Sequence, residues 1–258
     1  MNRLEKHWDL VNWVLTDVDD TLTCEGHLPP ETLIALQALR AAGKKVVAVT
    51  GACAGWGDHI AQLWPVDAVL AENGAVIMEK KGGFLVRHGL TSMDTLLDNQ
   101  ERLKAQVTEI ISKYPELNFT LDQTYRVCEV AIDIGQNCAP VCPDIIEEVV
   151  NRIHALGANA TASSIHINAW YGHHSKRITA EYYLKQLGLT DEQIQTQCCY
   201  VGDSPNDAEM FGWLANSVGV ANIAKYWDKL SHKPSVVTTK PGGYGFAEFS
   251  EQLLSNSN

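Results

Sequence analysis

No stretch of this 258-residue chain stays apolar long enough to cross a bilayer, which excludes a membrane-spanning reading. Basic residues are scarce. The 20 Lys and Arg face 31 Asp and Glu, a formal net charge of −11, so a nucleic-acid partner, which needs a basic face, is not expected. The opening residues, MNRLEKHWDL, are too polar for a secretory signal, and a cytoplasmic location is expected. Cysteine offers no framework either. Cys24, Cys53, Cys128, Cys138, Cys142, Cys198 and Cys199 are odd in number and lack a secretory context for disulfides. Cys138 and Cys142 stand four apart across Pro140 with no second pair or nearby His to complete a zinc site. Cys198 and Cys199 are adjacent in an apolar run, so they point to opposite faces of a strand and suit core packing. Solenoid repeats and low-complexity tracts are absent, and 45% hydrophobic with 20% charged residues is ordinary for a folded protein.

What is present is acidic and placed with care. An apolar run from Val11 to Leu15 delivers Thr16-Asp17-Val18-Asp19-Asp20-Thr21-Leu22-Thr23, and a second, Cys198 to Val201, delivers Gly202-Asp203-Ser204-Pro205-Asn206-Asp207. Each reads as a short buried strand that stops in a cluster of carboxylates. Carboxylates held together repel unless a cation or a proton sits among them. If the two strands are neighbours in one parallel sheet, the clusters meet at its carboxyl edge, where open α/β sheets place ligands. The pattern points to a Mg²⁺ site with a spare carboxylate beside it, suited to phosphoryl chemistry.

Strand and helix alternate, as in a parallel sheet covered by helices on both faces. A helix opening at Pro29-Pro30-Glu31 carries Leu33, Leu36 and Leu39 on one stripe and ends at Gly43. A strand over Lys45 to Val49, a helix over Gly55 to Leu63 and a strand over Val66 to Ala71 follow. Ala75 to Met78 and Phe84 to Arg87, joined through Lys80-Lys81-Gly82-Gly83, read as a hairpin. The rhythm then changes. A long helix carries Met93, Leu96, Leu97, Leu103, Val107, Ile110 and Ile111 before Pro115. Strands are expected over Leu117 to Leu121 and Tyr125 to Ile134, a helix from Pro143 to Gly157, and strands over Asn159 to Ala162 and Ile165 to Ala169. This α-β-β-α-β-β unit can bury its own core. Residues 91–169 are therefore expected to form an inserted domain, with 1–90 and 170–258 as the main one. Alternation resumes with a helix from Ser175 to Leu187.

Asp-x-Asp-x-Thr after a first strand, with Gly-Asp-x-x-x-Asp after a late one, resembles the haloacid dehalogenase superfamily. The α-β-β-α-β-β insertion resembles the cap of its subclass IIB, whose members include sucrose-phosphate, trehalose-phosphate and mannosyl-phosphoglycerate phosphatases and Cof-type sugar phosphatases. Glu72-Asn73-Gly74-Ala75 is similar to a stretch common there. The resemblance implies a Rossmann-like core and a cap that selects the substrate. It makes Asp17 the nucleophile that forms an aspartyl-phosphate and Asp19 the general acid and base. Mg²⁺ would be held by Asp17, the Asp19 backbone carbonyl and Asp203, with Asp207 behind them. Thr50, Gly51, Lys176 and Asn206 would bind phosphate. Where many relatives carry Arg-Pro after Thr-Gly, this chain has Ala52-Cys53, so contacts made by that Arg do not carry over.

The expected activity is hydrolysis of a small phosphate ester, a sugar phosphate above nucleotides, with Asn73, Asn168, Trp170 and Tyr171 as substrate residues. A phosphomutase of the same subclass and a non-catalytic sugar-phosphate sensor are the alternatives. A dehalogenase would leave Asp19 without a role, and a receiver domain would be about half this length. Asp20 is expected to be a turn acceptor, His173 and His174 solvent or cleft residues, and Gly242-Gly243-Tyr244-Gly245 a flexible turn. The sequence is silent on oligomeric state.

Overall fold

The computed structural model of the chain describes residues 8–163 and 165–255. Most of the polar N-terminal stretch read above therefore lies outside the described residues. Apolar residues run without alternation through Trp13–Thr16 (β1), Lys45–Val49 (β2) and Ala68–Ala71 (β3), as strands buried on both faces require. Helices Pro30–Ala41 (α1) and Ala54–Leu63 (α2) connect them. Val76–Lys81 (β4) and Phe84–His88 (β5) form the hairpin, with the chain reversing at Gly82 and Gly83, whose φ values of 60° and 87° suit a tight two-residue loop.

The insertion comprises Met93–Ile111 (α3), Asn118–Phe119 (β6), Val130–Asp133 (β7), Pro143–Ala155 (α4), Asn159–Ala162 (β8) and His166–Trp170 (β9). Lys176–Gln186 (α5), Asp191–Gln197 (α6), Cys198–Gly202 (β10), Ala208–Trp213 (α7), Ser217–Gly219 (β11), Val236–Val237 (β12) and Gly242–Ser255 (α8) complete the chain. The main sheet runs β12-β11-β10-β1-β2-β3-β4-β5, parallel from β12 to β3 and antiparallel beyond. One face packs Val14, Val46 and Cys199 with α1, α2 and α8; the other packs Leu15, Val47 and Cys198 with α5, α6 and α7. The two adjacent cysteines thus serve opposite faces, and all seven thiols are free. The insertion has a second sheet, β6-β7-β9-β8, over a separate cluster that includes Leu103, Val107, Ile132, Val149 and Ile167. Among the described residues no helix is long and apolar enough to cross a membrane.

Four local expectations need correction. The run from Tyr125 to Ile134 is a strand only over Val130–Asp133. Leu121–Tyr125 winds into a 3₁₀ turn, and the next N–H groups point at a carboxylate instead of a neighbouring strand. The first run shrinks to Asn118–Phe119 for the same turn. Leu33 and Leu97 lie on the solvent side of their helices, so the buried stripes are Thr32, Ala35, Leu36 and Leu39 on α1 and Leu96, Leu103, Val107, Ile110 and Ile111 on α3. The Gly242–Gly245 segment is the first turn of α8 and is tightly packed. A Cβ on Gly243 would lie 2.0 Å from Thr32 Oγ1 and 2.5 Å from the Leu22 carbonyl.

Candidate active site

Parallel pairing of β1 with β10, Trp13 opposite Cys198 and Thr16 opposite Val201, ends both strands at one sheet edge. Asp17 N–H extends the ladder to the Val201 carbonyl at 2.9 Å, so Asp17 and Asp203 emerge side by side. Lys176, the first residue of α5, is buried between the two motifs. Its Nζ donates to Asp17 Oδ1 at 2.6 Å and to Asp207 Oδ1 at 2.9 Å. Ser175 caps this helix, its hydroxyl accepting from Ile178 N–H, which aims the lysine at the edge.

Asp207 is fully engaged. Tyr200 Oη donates to its Oδ1 at 2.5 Å, and the Asp203 and Ser204 N–H groups donate to Oδ2 at 3.0 and 3.2 Å. Asp203 accepts from Asn222 Nδ2 at 2.8 Å and from Thr21 Oγ1 at 3.5 Å. The same Asn222 amide donates to the Asp20 carbonyl at 3.0 Å, tying both acidic loops together, while its oxygen takes the Gly242 N–H. Asp20 is a turn acceptor, left-handed at φ 55° and receiving Glu25 N–H. Thr50, buried at the end of β2, reaches Asp19 Oδ2 at 3.4 Å. Asn206 is exposed and held by Ser204 Oγ at 2.6 Å.

Burial raises the Asp17 carboxyl well above its ordinary value, helped by Asp207, Asp203 and Asp19 and opposed by Lys176. Burial and Asp207 push Asp203 up to about 7. Asp19 is open to solvent on one side, yet the protein around its carboxyl raises it too, against Lys176 and the Thr50 hydroxyl. Lys176 is held protonated, in spite of burial, by Asp17 and Asp207. Oxygens of Asp17, Asp203 and Asp207 lie within 4.8 Å of one another. Three carboxylates against one ammonium leave a deficit of two charges, that of one divalent cation. The donors are hard oxygens, which suit Mg²⁺. Asp207 belongs to this cluster, closer in than expected, but its oxygens are occupied by protein donors, which leaves Asp17 and Asp203 the freer ligands.

The expected substrate residues separate. Asn73 Nδ2 and Asn168 Nδ2 both donate to Glu129, at 2.7 and 2.9 Å. Burial pushes that carboxyl up to about 7, opposed by Arg126 and both amides. Trp170 lies 5.7 Å from the His174 ring, and its buried Nε1 has no partner among the described residues. Tyr171 is turned into the insertion, its hydroxyl on Gln106 and the Leu156 carbonyl and its ring 4.3 Å from the Arg102 guanidinium. His173 is exposed, but His174 is buried, which corrects its placement in solvent or cleft. Burial pulls the His174 ring down to about 4, from an ordinary value of 6.5. The unfolded chain therefore binds more protons than the folded one between those values, so stability is full above about pH 6.5 and falls as pH drops toward 4. Unfolding in urea near pH 4.5 should show about 2–3 kcal/mol of acid loss that His174→Phe removes; equal losses in both proteins would contradict it.

Tyr200, Asn222, Glu72, Arg126 and Glu129 were not legible as site neighbours. Only Glu72 carried a signal, as the head of the Glu72-Asn73-Gly74-Ala75 stretch.

The family described as haloacid dehalogenase-like hydrolase matches residues 14–96. A phosphoglycolate phosphatase of Methanosarcina acetivorans is 28% identical over 247 residues, 94% of this chain and 96% of its own. Phosphoglycolate phosphatase 1 of Saccharolobus solfataricus is 25% identical over 249 residues, 95% and 96% respectively. Among solved structures, a Thermoplasma acidophilum protein superposes with a TM-score of 0.76 at 14% identity, covering 95% of this chain and 99% of that one. The sucrose-phosphatase of Synechocystis, solved with sucrose and phosphate, does so at 0.67 and 15%, covering 95% and 98%. The matched hydrolase family and the phosphatase-named relatives, similar along nearly the whole chain, support a phosphatase. Residues 14–96 thus match the haloacid dehalogenase-like hydrolases, and the whole chain shares its fold with the two solved structures.

Proposed function

We propose that the chain is a Mg²⁺-dependent phosphomonoesterase that works through an aspartyl-phosphate on Asp17, with a sugar phosphate as substrate. The observation that carries the reading is Lys176, buried and clamped between Asp17 and Asp207 beside Asp203. Asp17 would attack phosphorus from its position at the sheet edge. Asp19, raised and facing Thr50, would give its proton to the leaving alkoxide and later take one from water. Lys176 would hold phosphoryl charge and orient the nucleophile. Thr50, Gly51 and Asn206 would bind phosphate oxygens. Asp17, the Asp19 carbonyl and Asp203 would hold Mg²⁺, with Asp207 behind them. When bound, the ion neutralises repulsion between an anionic nucleophile and an anionic phosphate.

Residues 91–169 would act as the cap domain that selects the leaving group, over a core of 1–90 and 170–258. The seven free thiols suit a reducing cytoplasm. The sugar-phosphatase likeness in fold supports a hydroxylated leaving group. The phosphoglycolate phosphatases, similar along nearly the whole chain, supply a second reading in which the leaving group bears a carboxylate. A phosphate-release screen across sugar, glycolate, glycerate and nucleotide phosphates, with and without Mg²⁺, tests both. Release from none of them would end the reading. In the same assay Asp203→Ala should raise the Mg²⁺ concentration for half-maximal rate by about tenfold or more before the maximal rate falls. An unchanged Mg²⁺ titration would mean that the ion binds elsewhere.

A further inference from the structure

Glu72, fully buried in the loop after β3, receives four backbone N–H groups on one carboxylate. Ala54, at the start of α2, donates at 2.9 Å; Val127, Cys128 and Glu129 of the insertion donate at 2.9, 2.9 and 2.8 Å. A carboxylate has about four lone-pair sites, so this one is saturated, and it joins α2 to the insertion. The seating brings two buried charges of the insertion over the Thr50–Gly51 loop. Arg126 Nη1 donates to the Gly51 carbonyl at 3.3 Å and to Glu129 Oε2 at 2.8 Å, while Nη2 donates to Asp122 Oδ2 at 2.9 Å. Glu129 in turn receives Asn73 Nδ2, and Asn73 N–H donates to the Thr50 carbonyl at 2.9 Å. The circuit is closed: Thr50, Asn73, Glu129, Arg126, Gly51.

We propose that Glu129 and Arg126 are positioning residues, which fix the Thr50–Gly51 loop from the insertion by gripping Asn73 on one side and the Gly51 carbonyl on the other. The proposal rests on the reading of that loop as the phosphate-binding element. It gives Asn73 and Asn168 a task besides contact with the leaving group, because each amide donates one N–H to Glu129. A loop held this way serves every ester alike, since each presents the same phosphate. The insertion then contributes to phosphate affinity as well as to the choice of leaving group.

The test uses the full chain with Glu129→Gln, Arg126→Lys and Asn73→Gly. Gln keeps the shape of Glu129 and loses its charge; Lys keeps the charge of Arg126 and loses the fork. Asn73 sits at φ 54°, where Gly is comfortable, and its removal cuts the circuit without stranding a charge, so it decides the matter if the other two fold poorly. The probe is orthovanadate, a phosphate-sized anion, titrated calorimetrically alongside kcat/KM for one aryl phosphate and one hexose phosphate. The expected result is vanadate bound about tenfold more weakly and kcat/KM lowered by the same factor for both esters, as for loss of one or two hydrogen bonds to the loop. Vanadate affinity equal to wild type in folded Asn73→Gly overturns the proposal. So does a loss confined to the hexose phosphate, which would restore Asn73 to leaving-group contact. A wild-type chain that binds no vanadate overturns both the proposal and the phosphatase reading, whereas normal wild-type binding with unaltered variants removes the proposal alone.

Discussion

Asp17→Asn is expected to abolish turnover while the protein stays folded. The amide is nearly the same size as the carboxylate but has no charge with which to attack phosphorus, so the loss should be roughly a thousandfold or more. Stability should hold, because the substitution removes one of four carboxylates that repel one another in a buried site. Its cost is one charge-assisted partner of Lys176, and Asp207 still holds that ammonium at 2.9 Å. An aryl-phosphate assay with saturating Mg²⁺, beside a thermal melt, reads both quantities. Substantial turnover by the folded variant would remove Asp17 as nucleophile. A large fall in melting temperature would instead assign it a structural task, with the inactivity following from unfolding.

The features that could be read from the chain are those written in local patterns. β2 and β8 run over the residues expected of them: β2 is an apolar run stopped by Thr50-Gly51, and β8 is a short segment set between Gly157 and Ser163. The meeting of Asp17 with Asp203 follows from two buried strands that each end in carboxylates, given parallel neighbours. Lys176 is assigned in the sequence by the resemblance, whose spacing, with the helix start, favours it over its neighbour Arg177. The structure carries the distinction further: Lys176 is buried between carboxylates, whereas Arg177 reaches Glu181 on its own helix. What could not be read depends on partners far off in sequence. Tyr125 to Glu129 has the alternation of a strand, but the Glu72 carboxylate, more than fifty residues earlier, claims three of its N–H groups. Asn222 follows no motif and bridges the two acidic loops only because β11 lies beside β10. Asn73 and Asn168 look alike as exposed amides near a seam until Glu129 is seen between them. Alternation reports which face is buried; it carries no information on what a buried carboxylate will find there.

Lys176→Met should have the largest effect on stability of any single substitution at this site. The ammonium is 3% exposed and stands 2.6 Å from Asp17 and 2.9 Å from Asp207, so its removal strands two buried carboxylates. Breaking a buried ion pair by deleting one partner costs about 3–5 kcal/mol, a large share of the roughly 5–15 kcal/mol that holds a domain folded. Asp207 keeps Tyr200 and two backbone N–H groups, and Asp17 keeps none of these. The strain of the variant should therefore concentrate on Asp17, and Lys176→Met combined with Asp17→Asn should recover part of the loss. Additive losses in the double variant would show that the two groups do not interact, against their 2.6 Å contact. Urea unfolding in the presence of a chelator measures the protein's own share. Repeating it with Mg²⁺ should stabilise Lys176→Met more than wild type, because the charge deficit among Asp17, Asp203 and Asp207 has grown from two to three. An unfolding midpoint for Lys176→Met within about 1 kcal/mol of wild type would mean that the carboxylates tolerate one another without the lysine. The clamp would then no longer explain how this site is held together.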